Sequence, residues 1–407
     1  MVGLKEWDYN MKRIGFKTII VLLLLLGMGS VFSVLYPGIV DIITLILCFF
    51  YVIIHKRSIN KRLLSIILWV GVIYVFSAII THTPITKYVG VYIRALAIPF
   101  VFSLFDNRLS SFKQSFVCAL KIIAVLGIIN FLLVLTIPNL FVPVQTDGYL
   151  VNTLGFIFNY NATTSISSLT IYRNQGIFWE PGLLQIPMNF LLYNSLIEEK
   201  NTIKSSLLPI IVILSTLSTT GIIIMSLILF AFIIRNKAKF NLSTVVVSFA
   251  VVLLVGYIAM ENVQEKFRGE ESSSTAARTF DLYMGWNIAK EHPLFGIGLN
   301  ADTYLAQTKD LDLGIYDDIS LNSERGNTNT LLSVMCYFGI PVSLLFILLL
   351  YKQSLFEKRS LFFVVLMIAI FSEPLFGTML LYIFLFSSFI PTGENSNKLL
   401  SRHEINY

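Results

Sequence analysis

Charge is scarce in this chain. Asp, Glu, Lys and Arg make up 13% of its 407 residues, 56% are hydrophobic, and the mean hydropathy is +0.76. Soluble domains carry about a quarter charged residues, so a soluble multidomain protein is excluded and the bilayer becomes the relevant solvent. Cysteine is nearly absent. Cys48, Cys118 and Cys336 are odd in number, lie inside apolar runs and lack the spacing of a metal knuckle or redox pair, so they read as small core residues. Missing too are a Walker loop, a Gly-rich strand-to-helix turn and a zinc-ligand spacing. No cytoplasmic segment is large enough for a nucleotide-binding domain, which disfavours chemistry driven by ATP or a nucleotide sugar from the cytoplasm. No cofactor is expected. Long internal repeats and low-complexity tails are also lacking.

Apolar runs are plentiful. A membrane helix needs about 20 mostly apolar residues to cross about 30 Å of hydrocarbon, and runs of this kind occupy residues 18–36, 39–54, 63–80, 88–105, 116–137, 176–196, 242–260 and 331–351. Two longer stretches, 205–234 and 361–390, would each reach about 45 Å as one straight helix. Each breaks in the middle, at Ser218-Thr219-Thr220-Gly221 and at Ser372-Glu373-Pro374, and each is flanked by Lys or Arg at both ends. Because positive residues stay inside, both stretches are predicted to be hairpins with short arms. The expected fold is therefore all-α: a single integral-membrane domain over residues 1–407 with about 12 transmembrane or re-entrant helices, a large extracytoplasmic loop and both termini cytoplasmic. The first run, at 19 residues without a small-residue cleavage site, reads as a retained signal anchor. Cytoplasmic segments in this topology hold 20 of the 30 Lys and Arg. The net charge of +6 is thus a transverse asymmetry that orients the chain, and a nucleic-acid partner is not expected.

Two outer segments are too long to be plain connections, residues 138–175 and residues 261–326. The first is nearly uncharged and rich in Asn, Ser and Thr. The second holds twelve acids and six bases, and within it residues 275–291 place Leu282, Trp286 and Ala289 at helical spacing, which predicts a short helix along the outer interface.

Polar residues near this outer face are the candidates for chemistry. Arg94 lies six residues into the fourth run, about 9 Å deep, where an arginine costs roughly 2.5–3.5 kcal/mol unless it meets protein, water or an anion; snorkelling is the plain alternative. Arg173 and Glu180 bracket the entrance of the sixth run in Arg173-Asn-Gln-Gly-Ile-Phe-Trp-Glu180-Pro-Gly182. Helix capping by Glu180, with Pro181 at the helix start, is the plain reading there. Arg278 and Arg325 stand in the large loop, where arginines are commonly just solvated. Four arginines at one face nevertheless match phosphate oxygens in bidentate geometry. Trp179, Tyr172 and Trp286 offer rings for stacking on sugars, although belt aromatics are the commoner case. Asp310-Leu-Asp312 is a weak metal signal in an acidic loop. His82 and His292 have no carboxylate at useful spacing in the sequence, His292 before Pro293 reads as a loop residue, and Glu373-Pro374 reads as a structural turn.

The run Arg173 to Gly182 resembles the Arg-to-Glu-Pro-Gly element of bacterial O-antigen and capsular repeat-unit polymerases. Arg278, then His292-Pro-Leu-Phe-Gly-Ile-Gly298-Leu-Asn300, then Gly326-Asn-Thr-Asn329 ahead of Tyr337-Phe-Gly339-Ile340 resembles the large outer loop of the O-antigen polymerase and ligase family. Leu217-Ser-Thr-Thr220-Gly221 resembles the Thr-Ser-rich break of the same proteins. The resemblance covers about residues 170–350. It implies a metal-independent, inverting glycosyltransferase of the bacterial inner membrane. Such an enzyme moves a growing glycan from undecaprenyl diphosphate onto a hydroxyl of the next lipid-linked repeat unit, alongside a chain-length regulator and a flippase. In the roles it implies, Arg173 and Arg278 stabilise the departing diphosphate and Glu180 orients or deprotonates the acceptor. Arg94, Arg325, Trp179, Tyr172, Asn327 and Asn329 contact the substrate. Ligases of the family carry a histidine shortly before the helix that follows the loop. Residues 323–329 carry Glu324, Arg325 and asparagines instead, which favours polymerase over ligase. A flippase or other transporter of the same lipid-linked sugars is the rival from another class, with polar residues expected nearer the midplane.

Overall fold

Backbone groups inside hydrocarbon must be satisfied within their own segment, and the apolar runs accordingly fold as helices. The computed structural model describes residues 15–145, 150–161, 163–166, 169–236, 272–300, 302–304, 306 and 328–391. In chain order these hold α1 (Phe16–Leu26), α2 (Val31–Leu35), α3 (Ile39–Ile54), α4 (Lys61–Ile80), α5 (Thr86–Leu104), α6 (Leu109–Thr136), α7 (Pro181–Tyr193), α8 (Leu207–Ser215), α9 (Thr219–Arg235), α10 (Ser272–Glu291), α11 (Thr330–Tyr351), α12 (Arg359–Ser372) and α13 (Met379–Phe386). By length and composition α4, α5, α6 and α11 can cross a membrane; α1, α3, α9, α12 and the runs around α8 and α13 are shorter apolar helices. Large apolar side chains such as Phe50, Ile54, Trp69, Ile79, Phe230 and Leu344 are exposed on the outside of the bundle. A soluble protein rarely tolerates so many, whereas a lipid-facing surface requires them.

The centre of the bundle is α7. All 13 of its residues are buried, and it is enclosed by α6, α8, α9 and α12. Both predicted hairpins are present. Ser206, just before α8, and Arg235, at the end of α9, both reach the far end of α7: the Ser206 hydroxyl meets that of Ser195 at 2.7 Å, and Arg235 Nη1 donates to the Ile197 carbonyl at 2.7 Å. The turn between them lies at the opposite end, beside Asn174. In the second hairpin α12 and α13 are joined by residues 373–378, and the Phe389 carbonyl returns to Asn60 at the start of α4.

Three features depart from the expected pattern. The first run, 18–36, is broken: α1 ends at Leu26 and the chain turns through Gly27, Met28 and Gly29 before α2. Gly29 has φ +136, a region closed to side chains, and the exposed backbone forms a short antiparallel bridge with the segment before α7, with Trp179 N–H donating to the Gly29 carbonyl at 3.1 Å. Second, the outer segment 138–175 is not a loop, so the molecule is mostly helical and not all-α. Strands β1 (Val142–Gln145), β2 (Leu150–Leu154) and β3 (Phe158–Tyr160) form an antiparallel sheet in that order, and β4 (Thr163–Ile166) pairs with β5 (Leu169–Tyr172) in a hairpin. Third, the expected helix is present as α10, but its stripe is divided: Ala289 is buried with Phe280, Met284 and Ile288, while Leu282 and Trp286 are exposed. The predicted span 242–260, half of segment 261–326 and both termini lie outside the described residues.

Candidate active site

The segment from Arg173 to Gly182 is held by amides. Asn159, wholly buried in β3, donates through Nδ2 to the carbonyls of Gly176 at 3.1 Å and Phe178 at 2.9 Å, while Asn130 of α6 exchanges two hydrogen bonds with the Asn159 backbone. The buried Asn174 bonds Ser215 through both backbone and side chain, and Gln175 Nε2 donates to the Trp179 carbonyl. Each of these groups would cost free energy if buried unpaired; together they fix an irregular segment between the β-layer and α7. Sequence reasoning missed them, because Asn and Gln in an uncharged stretch carry no periodicity.

That frame positions the expected residues. Arg173 donates through Nε to the Thr216 carbonyl at 3.1 Å, in the turn of the first hairpin. Glu180 occupies the N-cap position of α7 with extended backbone, φ −134 and ψ 146, and its side chain makes no capping hydrogen bond. Pro181 supplies the first helical position, where its missing N–H is harmless. Trp179 is half-buried against Gly29. Tyr172 stands edge-on to Tyr160, ring centroids 5.4 Å apart, as part of the β-layer aromatics.

Against the first turn of α7 stands Glu373, read from the sequence as a structural turn. Its carboxylate is buried directly against Gly182 in the first turn of α7, where a helix N-terminus favours negative charge. The Glu373 carbonyl accepts from the Thr330 hydroxyl at 2.6 Å, and the same hydroxyl accepts from Leu375 N–H. The start of α11 therefore ties the second hairpin to this end of α7. Asn329 is the N-cap of α11, its side-chain oxygen accepting from Leu332 N–H. Thr328 donates twice to the buried Asp281 of α10, from N–H at 3.0 Å and from the hydroxyl at 2.6 Å. Arg278 lies one turn earlier on α10; Arg325 and Asn327 lie outside the described residues, as do Asp310 and Asp312.

The glycine-rich motif after α10 has a structural use. Pro341 cannot donate to the Tyr337 carbonyl and Gly339 leaves the helical region at φ 79, so α11 opens in the middle. The freed carbonyls of Cys336 and Tyr337 accept from Ile297 at 2.7 Å and Gly298 at 3.1 Å, while Ile340 N–H donates to Pro293 O at 2.8 Å. The loop end is thus clamped to the broken helix.

Arg94, which the sequence places deepest among the candidates, is paired. Its Nε donates to Asp41 Oδ2 at 2.6 Å; Asp41 lies in the first turn of α3, nine-tenths buried, and was not singled out by sequence. A lone acid in an apolar run ought to have signalled a basic partner on another helix. A Cβ placed on Gly27 would lie 2.8 Å from Asp41 Oδ1, and one on Gly377 would lie 3.8 Å from Arg94 Nη1. Arg94 therefore joins the α1 break on one side and the Glu373 hairpin turn on the other.

Residues 205–347 match the family model described as O-Antigen ligase. No curated protein matches the chain. The match begins after the Arg173–Gly182 element and ends before Glu373, and it runs from α8 into the last turns of α11. That region, which holds the large loop and its flanking helices, supports placing the chain in the O-antigen polymerase and ligase family.

Proposed function

We propose that the protein is an O-antigen polymerase-like glycosyltransferase, multi-pass in the inner membrane with about twelve helical passes. It joins undecaprenyl-diphosphate-linked oligosaccharide repeat units into a surface polysaccharide at the outer face. The observation that carries this reading is the set of groups around the head of α7: Glu180 at its N-cap, Glu373 against Gly182, Arg173 bonded to the Thr216 carbonyl, and Arg94 paired with Asp41 beside Gly377 of the turn that carries Glu373. Family members are membrane glycosyltransferase-like enzymes, and this constellation supplies both an anion clamp and carboxylates for an alcohol.

In the reaction, the acceptor hydroxyl oxygen attacks the anomeric carbon of the donor glycan. The bond from that carbon to the diphosphate oxygen breaks with inversion, and the electron pair stays on the departing lipid diphosphate. Arg173, Arg278, Arg94 and Arg325 stabilise the charge that grows there, and the hydroxyl proton passes to Glu180. Trp179, Tyr172, Asn327 and Asn329 contact the sugars.

Deleting the gene in its host and resolving the surface glycan on a gel tests the function. Loss of a polymerase leaves one repeat unit on the lipid core, loss of a ligase leaves bare core, and loss of a flippase leaves bare core with repeat units trapped inside. Unchanged long chains would refute the proposal. Arg173→Ala, Arg278→Ala and Glu180→Gln are expected to abolish chain extension in protein that still inserts; full ladders from all three would remove the site assignment. The ligase reading is the second in line, favoured by the matched family description and opposed by the lack of a histidine in residues 323–329.

A further inference from the structure

We infer that Asp41 is a positioning residue, holding Arg94 by one edge so that its free guanidinium fork forms a fixed anion subsite between the α1 break and the turn of the second hairpin. This rests on the glycosyltransferase reading for its ligand, the diphosphate of a lipid-linked donor, but the geometry stands independently of it.

Three observations carry the inference. The pair is joined through Arg94 Nε and Asp41 Oδ2 alone. A guanidinium and a carboxylate that meet only to neutralise one another are frequently bidentate, with two parallel bonds. Here neither Nη1 nor Nη2 donates to any described residue, so the N–H groups at the tip stay available. Second, burial is lopsided: the Asp41 side chain is 8% exposed and that of Arg94 29%. The acid is packed against Gly27, while Arg94, the more exposed partner, brings its Nη1 beside Gly377. Third, the placement is shared with the site. Arg94 Nη1 faces the turn that carries Glu373, and Asp41 is stationed under the break whose Gly29 meets Trp179.

The physics of such a pair favours direction over field. The carboxylate cancels much of the long-range attraction of Arg94, so the subsite does not gather anions from a distance. Anchoring Nε fixes the plane of the guanidinium, and rotamer freedom is lost before the ligand arrives instead of on binding. Lysine at position 94 can satisfy Asp41, but its single ammonium then has no second edge to present.

The test compares wild type, Asp41→Asn and Arg94→Lys as full-length protein in nanodiscs. KM and kcat are measured with the host's lipid-linked repeat unit, binding with farnesyl diphosphate, and thermal unfolding in parallel. Arg94→Lys is expected to unfold near the wild-type temperature, raise KM about tenfold or more and weaken farnesyl diphosphate binding in proportion. Asp41→Asn keeps an oxygen for Nε and is expected to raise KM and lower kcat by smaller factors than Arg94→Lys. If Arg94→Lys matches wild type in KM and binding, or if Asp41→Asn loses folded protein and kcat together with KM unchanged, the pair is only a scaffold and the inference is overturned. Should Asp41→Asn fail to accumulate, Arg94→Lys decides. A wild-type protein that binds farnesyl diphosphate yet extends no chain refutes the polymerase reading, while the binding arm still decides the subsite.

Discussion

At the scale of single residues, the tightest constraint in the site falls on Gly182. Any side chain there would overlap the Glu373 carboxylate, and the carboxylate has little room to retreat because it is buried and its own backbone is held by Thr330. Overpacking of this kind typically costs about 1–3 kcal/mol. Gly182→Ala is therefore expected to lower the unfolding temperature and cut chain extension. Shortening the opposing residue in Gly182→Ala/Glu373→Ala should recover part of the unfolding temperature, giving a coupling in a double-mutant cycle. Strictly additive losses would mean that the two groups do not meet. Glu373 also shows where residue-level reading stops: an acid beside a proline looks like turn chemistry, and only the packing of two distant hairpin ends reveals that it faces the head of α7.

At the scale of elements, the site depends on an irregular stretch of backbone that neither helix nor sheet supports. Asn159 is its principal fastening, with two donor bonds to carbonyls between Arg173 and Glu180. Removing the side chain in Asn159→Ala strands buried carbonyls at about 1–3 kcal/mol each, so the variant is expected to unfold at lower temperature and to lose chain extension although it touches no substrate. Wild-type activity in that variant would show that the segment holds its shape without the amides. The hairpins were legible in sequence because charge at both ends and turn residues in the middle allow one solution. The break of α1 was not, since glycines are common inside membrane helices and Gly27 and Gly29 look alike in either case. The β-layer was hidden for a different reason: its strands run three to five residues, too short for an alternating pattern to stand out.

At the scale of the whole molecule, charge and geometry describe the same axis. The face away from the site, where α1 and α6 begin and α3, α5, α7 and α9 end, carries Arg57 and Lys17 around Asp106, Lys113 on Glu198, and Arg235 on the Ile197 carbonyl just past α7. The site end carries Asp41, Glu180, Asp281 and Glu373. In the proposed orientation, a bilayer that retains positive segments inside leaves the head of α7 facing outward, where lipid-linked repeat units would be joined. The proposed orientation can be tested with an impermeant thiol reagent, because Cys48 and Cys336 are buried and Cys118 is half-buried, so background labelling of intact cells should be low. Lys56→Cys and Lys200→Cys are expected to react only after permeabilisation, whereas Val142→Cys on the exposed edge strand β1 should react in intact cells. The reverse pattern would place Arg173, Glu180 and Glu373 on the cytoplasmic side. The transfer proposed here would then have to draw on substrates that have not yet crossed the membrane, so orientation alone can refute the outer-face reading.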